Sequence, residues 1–450
     1  MNETKKVSGL AGLLSNRILI IVHLFAYVAV MLLLTLIWGV TLTQRDTNYF
    51  LPFFAIFGWG FFIGFHALVY LMYNDKVKFL SELRTQAGFK VLFIFHAWFY
   101  LLINLFLMIF DLTTTPELVW FFWPLGGWGV AFGFHAFGYF TWDKSIEKQK
   151  GKLSKKYPDY SEQRIKELAT SKLLGIEILL MHLTYFSVVA VIAYSTQIWT
   201  IFDVTFESVI QSTLGWGLFV GLHLLAYYLV NYVETISIVM KGLILHIIAY
   251  VGLSILGLWQ QFTSGQEIFW WHIPVILWAV MIVMHILVTL KWDAINPRAL
   301  EKVKSRSREG LEEFRYQRIT YWLVFWRFSF LAHIIMYFLG LILLLPIANE
   351  IGEITFETIS INGLDLLGIT ALGWLIALFV HGAMYLVVMR NVRGFLMWTA
   401  IIHLAAYIGA IPLLITINVL ITPEFLWSAI ALGGWGIGLG AHILIAYLTK

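Results

Sequence analysis

A tryptophan standing seven residues before a histidine, inside an apolar run, recurs six times in this chain. The pairs are Trp59 and His66, Trp128 and His135, Trp216 and His223, Trp278 and His285, Trp374 and His381, and Trp435 and His442. Four of them sit in the fuller pattern Gly-Trp-Gly-x3-Gly-x-His, which begins at Gly58, Gly127, Gly215 and Gly434. In copy four Ala279 and Val283 replace the two later glycines, and in copy five Leu375 and Phe379 do. Seven residues on an α-helix turn through about 700°, nearly two turns, so both side chains lie on one face roughly 10 Å apart. One copy would be chance; six in register are a structural unit.

Each of these segments follows another apolar segment that carries its own histidine, usually with a tyrosine four residues on. The pairs are His23 and Tyr27, His96 and Tyr100, His246 and Tyr250, His333 and Tyr337, and His403 and Tyr407; copy three has His182 followed by Tyr185. The repeat is therefore an antiparallel helical hairpin, present six times. It absorbs all but one of the 13 histidines, the exception being His272 beside Trp270 and Trp271.

Such segments belong in lipid. The chain is 60% hydrophobic and only 12% charged, outside the range of soluble domains. Apolar stretches of 18 or more residues, each able to cross a hydrocarbon core of about 30 Å, recur along the whole length. The first runs from about residue 17 to 38 and the last from about 425 to 448, and twelve are expected. The fold class that follows is an all-α integral membrane protein of twelve transmembrane helices, as six hairpins grouped into three four-helix units. The linkers set the grouping, being long and basic only at 143–172 and 293–320. The expected order is a tail (1–16), a first unit (17–142), a basic linker helix (143–172), a second unit (173–292), a basic linker helix (293–320) and a third unit (321–450). Helix-starting signals lie at Ser161 and Pro297. The polar tail, with Lys5 and Lys6, does not read as a removable signal peptide.

Placing the charges orients the chain. Of 30 Lys and Arg residues only Arg45 falls in a segment on the outer side if both termini are inside. The positive-inside rule then puts both termini in the cytoplasm of a cell-membrane protein. The excess charge is suited to anionic lipid headgroups and not to nucleic acid. With no cysteine, disulfides, thiolate metal sites and iron–sulfur clusters are excluded.

An early His-x3-Tyr, a short loop, and then Gly-Trp-Gly with a later His resembles the two-transmembrane-helix domain family of small bacterial and archaeal hairpin modules. The resemblance extends over nearly all of the chain as six tandem copies, and copies four and five depart from it at their glycines. It implies a fold, not an activity.

The histidines share a depth. His23, His96 and His333 each follow a basic residue (Arg17, Lys90, Arg327) by six positions, and His66 and His135 precede Asn74 and Asp143 by eight. At 1.5 Å per residue all lie about 9 to 12 Å inside one boundary. A polar group in hydrocarbon must be paired. Two pairings are open: hydrogen bonds between the helices of a hairpin, or axial ligation of haem b iron by His23, His66, His96, His135, His182, His223, His246, His285, His333, His381, His403 and His442. Under the second, Trp59, Trp128, Trp216, Trp278, Trp374 and Trp435, with Tyr27, Tyr100, Tyr250, Tyr337 and Tyr407, would line the macrocycle. The function expected is then electron transfer or redox sensing, with a redox partner not specified. The alternative is a non-catalytic membrane scaffold or interaction protein, and a small-molecule transporter ranks below both. Zinc is disfavoured, because no Asp, Glu or Cys joins the layer. The motif glycines point about 140° from the histidines and suit helix packing or room beside a flat ligand. No nucleotide-binding loop or paired carboxylates suggest an enzyme. Asn104 is the main isolated polar group at depth and Glu177 lies near the cytoplasmic entrance, too few for a coupled transporter or channel.

Overall fold

A computed structural model describes residues 12, 14–40, 52–74, 77–83, 88–115, 119–196, 204–263, 271–307, 311–356, 359–390, 392 and 394–448. Lys5, Lys6, Arg45 and Trp270 lie outside the described residues. Among those described are fourteen α-helices: α1 (Arg17–Val40), α2 (Pro52–Tyr73), α3 (Lys78–Leu83), α4 (Gly88–Thr114), α5 (Phe122–Lys156), α6 (Glu162–Thr196), α7 (Phe206–Tyr232), α8 (Ile238–Thr263), α9 (His272–Leu290), α10 (Trp292–Arg306), α11 (Glu313–Ile351), α12 (Gly363–Met389), α13 (Phe395–Ile421) and α14 (Trp427–Leu448). Eleven of these are long and apolar enough to cross a membrane. The chain is thus a multi-pass helical membrane protein. The expected count was twelve, and α5 makes the difference. Its apolar half carries Gly126, Gly127, Gly129 and Gly133 with Trp128 and His135, which lower its hydropathy below that of the other spans.

Two compact units form, 1–205 and 206–450. Their boundary falls between α6 and α7, inside the segment expected as a single unit at 173–292. In the first unit α1 packs on α2, α2 on α4, α4 on α5 and α5 on α6. Aromatic rings fill the seam between α2 and α4, with Phe53 stacked on Phe106 at 5.1 Å between centroids. Trp98 of α4 rests where Gly64 of α2 lacks a side chain, so a Cβ at that position would overlap its ring. In the second unit successive helices pack as α7–α8, α8–α9, α9–α11, α11–α12, α12–α13 and α13–α14.

The first basic linker is not a separate helix. α5 continues unbroken past Trp142-Asp143 to Lys156, and α6 starts at Glu162, where Ser161 accepts the Arg164 amide at 3.2 Å as its cap. At 35 residues each, both helices are about 52 Å long and outrun the hydrocarbon core. Their extensions carry their own core: Trp142, Ile146 and Leu153 of α5 bury against Ile165 and Ala169 of α6. No glycine or proline interrupts α5 between Trp142 and Gly151, and the apolar stripe continues past the membrane, so the helix has no reason to stop. The second linker does contain a separate helix, α10. It starts at Trp292, earlier than Pro297 suggested, and holds that proline in its interior. The connection between α11 and α12 contains a two-stranded antiparallel hairpin, β1 (Glu353–Phe356) with β2 (Ile359–Asn362). Gly352 enters it at φ +66, a backbone region that favours glycine, and the Asn362 side chain caps α12 by accepting the Asp365 amide at 2.8 Å.

Candidate functional site: a tryptophan–histidine–histidine chain in five hairpins

The repeat's one-face geometry becomes concrete where the two helices of a hairpin meet. In the second hairpin the Trp128 indole donates to His96 Nε2 at 2.7 Å, and His96 Nδ1 lies 2.9 Å from His135 Nδ1. His135 Nε2 then bonds the Phe89 carbonyl at 2.9 Å. The same chain recurs in four other hairpins. Trp59 donates to His23 at 2.8 Å, Trp278 to His246 at 2.8 Å, Trp374 to His333 at 2.8 Å and Trp435 to His403 at 2.5 Å. The Nδ1–Nδ1 distances are 2.9 Å for His23 with His66 and for His333 with His381, and 3.0 Å for His246 with His285 and for His403 with His442.

Proton positions follow from chemistry. An indole N–H can only donate and a carbonyl can only accept. His96 therefore accepts at Nε2 and carries its proton on Nδ1, which it donates to the bare Nδ1 of His135. His135 keeps its proton on Nε2 and donates it to Phe89. Both ends being fixed, the tautomers are assigned by the network. The far end varies in detail: His381 Nε2 meets the Ser329 hydroxyl and His442 Nε2 the Thr399 hydroxyl, each at 3.0 Å. The backbone of Val239 interacts with His285. The backbone of Leu14 interacts with His66, whose Nε2 lacks a hydrogen bond of standard geometry.

Tyrosines brace the same junction. In all five hairpins the first-helix tyrosine meets the tryptophan edge to face, at 5.9 Å for Tyr27–Trp59, 5.7 Å for Tyr100–Trp128, 5.6 Å for Tyr250–Trp278, 5.7 Å for Tyr337–Trp374 and 5.5 Å for Tyr407–Trp435. Three of the hydroxyls go on to donate to a carbonyl of the second helix: Tyr27 to Ile56 at 3.0 Å, Tyr100 to Leu125 at 3.0 Å and Tyr407 to Leu432 at 3.1 Å. The glycine just after each tryptophan leaves the room. A Cβ on Gly60, Gly129 or Gly436 would come within 3.4, 3.0 and 3.0 Å of that hydroxyl. Where Ala279 and Leu375 take the glycine's place, Tyr250 and Tyr337 make no hydrogen bond among the described residues. The first motif glycine thus serves a tyrosine, not general helix packing. The second has one packing role, Gly64 under Trp98; Gly133, Gly221 and Gly440 face open space.

Copy three differs. His182 falls in the first unit and Trp216 with His223 in the second. Its tyrosine, Tyr185, donates to the Gly127 carbonyl of the neighbouring hairpin.

In this arrangement the pairs do not fit bis-His ligation of haem. A metal held between two imidazoles at about 2.0 Å from each would part the nitrogens by about 4 Å, and the paired nitrogens stand at 2.9 to 3.0 Å. A neutral imidazole has one N–H and one lone pair, and in the second, fifth and sixth hairpins both are used on each ring. Among the described residues, no three His, Asp or Glu side chains gather as a metal-ion group.

A set of residues at the opposite end of the helices went unrecognised in the sequence. Asp111, fifteen residues after His96, is fully buried and accepts the amides of Trp120 at 2.6 Å and Phe121 at 2.8 Å, with the Thr115 hydroxyl at 2.8 Å. Asn418, fifteen after His403, accepts the Ser428 amide and donates to the carbonyls of Thr422 and Phe425 at 2.8 and 2.9 Å. Gln261, fifteen after His246, accepts the Trp271 amide at 3.2 Å. Trp120 donates to Thr115 and Trp427 to Thr422 in the same way. Each side chain closes its hairpin's loop by taking amides at the start of the second helix. The spacing Asp or Asn-x3-Thr-x4-Trp was the signal available.

Comparison with known proteins bears on two of these hairpins. Residues 84–170 and 401–450 match the family model of the 2TM domain, which takes in the second hairpin with its helical extension and most of the sixth, and not six copies. No curated protein and no solved structure matches. Over those two stretches this membrane chain is similar to the 2TM domain.

Proposed function

We propose that the chain is a non-catalytic membrane scaffold or interaction protein, built of hairpins whose register is locked from within. The observation that supports this reading is the recurrence of one directional chain, Trp to His to His, in five hairpins, with both nitrogens of each imidazole spent inside the protein in the second, fifth and sixth. In hydrocarbon such bonds have no competing water, so the chain selects one register for each hairpin. In the same reading the basic helix ends and linkers face the cytoplasm and lie against anionic headgroups, with both termini on that side of the cell membrane.

The competing reading takes the same histidine layer as axial ligands of haem b for electron transfer or redox sensing. An absorption spectrum separates the two. Protein purified from cells supplied with ample haem is expected to show no Soret band, oxidised or reduced, and replacing His135 by Leu is expected to lower thermal stability and leave the visible spectrum unchanged. A stoichiometric Soret band that disappears in H135L would overturn the scaffold reading.

A further inference from the structure

Three cations in the second unit converge on one cavity without an acidic partner among the described residues. Arg298 and Lys302 of α10 and Arg327 of α11 line a cavity of about 380 Å³, with Tyr385 of α12 on its far side. The α10 residues in its wall, Ala294, Ile295, Arg298, Ala299 and Lys302, form a single helical face, and among the described residues no Asp or Glu lines the cavity. The cationic ends of Arg298, Lys302 and Arg327 make no ion pair or hydrogen bond among the described residues. Elsewhere on the basic side the chain does supply partners: Lys90 pairs with Asp143 at 2.5 Å and Lys304 with Glu313 at 2.8 Å. α10 is held over the cavity, since Arg306 donates to the Met389 carbonyl at 3.0 Å.

A second cavity adjoins the first. It has about 480 Å³, shares Val324 and Phe328 as a common wall, and is lined by apolar side chains such as Met281, Met284, Trp322 and Phe325. The two together have the polarity of an amphiphile: a cationic chamber against an apolar groove, at the boundary where headgroups meet acyl chains.

We propose that this is a binding site for an anionic phospholipid, its phosphate against Arg298, Lys302 and Arg327 and an acyl chain in the groove. Guanidinium groups match phosphate oxygens in a two-pronged geometry, and a bilayer supplies the ligand at high local concentration. Arg327, at a helix position near the boundary, reaches the phosphate level by extending its stem along apolar surface. The shared chemistry is a phosphate anion, so free phosphate is the other source to separate.

The test is native mass spectrometry of the full-length protein in detergent, titrated with dioleoylphosphatidylglycerol, dioleoylphosphatidylcholine, and the former with excess inorganic phosphate. At roughly fivefold in affinity per basic residue near a headgroup, the wild type is expected to prefer the glycerol lipid by at least about tenfold. R298Q/K302Q/R327Q is expected to lose that preference, and K148Q/K152Q/K155Q, with the same charge change on α5, to keep it. The single variant K302E alters an exposed residue and is expected to weaken the preference even if the triple variant folds poorly. Equal affinity for the two lipids, preference kept in both K302E and the triple variant, or equal loss in the α5 variant would overturn the site. Displacement of the lipid by inorganic phosphate would overturn the lipid and assign the cavity to free phosphate.

Discussion

The smallest decisive unit is one imidazole nitrogen. His96 Nε2 is an acceptor because an indole points at it, and that single bond sets the tautomer of both rings of its hairpin. Trp128→Phe keeps an aromatic ring and removes the donor, leaving a lone pair unsatisfied in an apolar setting. The expected cost is about 1–3 kcal/mol of stability, read as a lower unfolding midpoint in detergent. Gly129→Ala acts on the neighbouring bond. Its new methyl would come 3.0 Å from the Tyr100 hydroxyl, so it destabilises the wild type but has little further effect in a Tyr100→Phe background. The two changes are expected to be strongly non-additive, and simple additivity would remove the glycine–tyrosine link. Ala279 and Leu375 are the natural versions of this substitution, and among the described residues the tyrosine bond is missing in both hairpins. The tryptophans and histidines were legible in the sequence as one face of a helix. That tryptophan, and not tyrosine, would partner the histidine was not, since both lie within reach on a helical projection.

At the scale of the element, the second, fourth and sixth hairpins are pinned at two levels, the Trp–His–His chain near the basic end and a buried polar cap at the loop end. Asn418→Ala leaves the Ser428 amide and the carbonyls of Thr422 and Phe425 without that partner, at an expected cost of about 1–3 kcal/mol. Asp111→Asn is expected to be milder than Asp111→Ala in the same thermal assay, because Asn418 shows that an amide can do this work at the equivalent position. Equal loss in both variants would mean that the charge itself is required. The helix extensions belong to this scale too. The sequence marked 143–172 as basic and separate, yet α5 and α6 run through it as continuous helices with a shared apolar stripe. A pattern of alternating Leu, Ile and Lys reads alike for a helix lying on the surface and one leaving it. Only the partner against which Trp142, Ile146 and Leu153 bury tells them apart.

For the whole molecule, the absence of cysteine makes orientation directly testable. Single cysteines at Ser154, on the α5 extension, and at Glu424, in the α13–α14 loop, are expected to react with an impermeant maleimide from opposite sides of sealed vesicles, Ser154→Cys from the cytoplasmic side. Labelling of both from one side would undo the topology. The third hairpin is the exception in the repeat: its first helix belongs to the unit ending at 205 and its second to the unit beginning at 206.

The sequence alone determined what depends on local periodicity and transfer free energy: helices of spanning length, their pairing as repeated hairpins, and one helical face for each tryptophan and the histidine seven residues on. These follow from spacing along one chain, and need no knowledge of what stands opposite. The tertiary structure decided how the histidines are used. An imidazole pair about 4 Å apart could have gripped a metal, whereas the pairs here, at 2.9 to 3.0 Å, bond to each other. That difference of about 1 Å is set by interhelical distance and side-chain rotamers, which no spacing along the chain encodes.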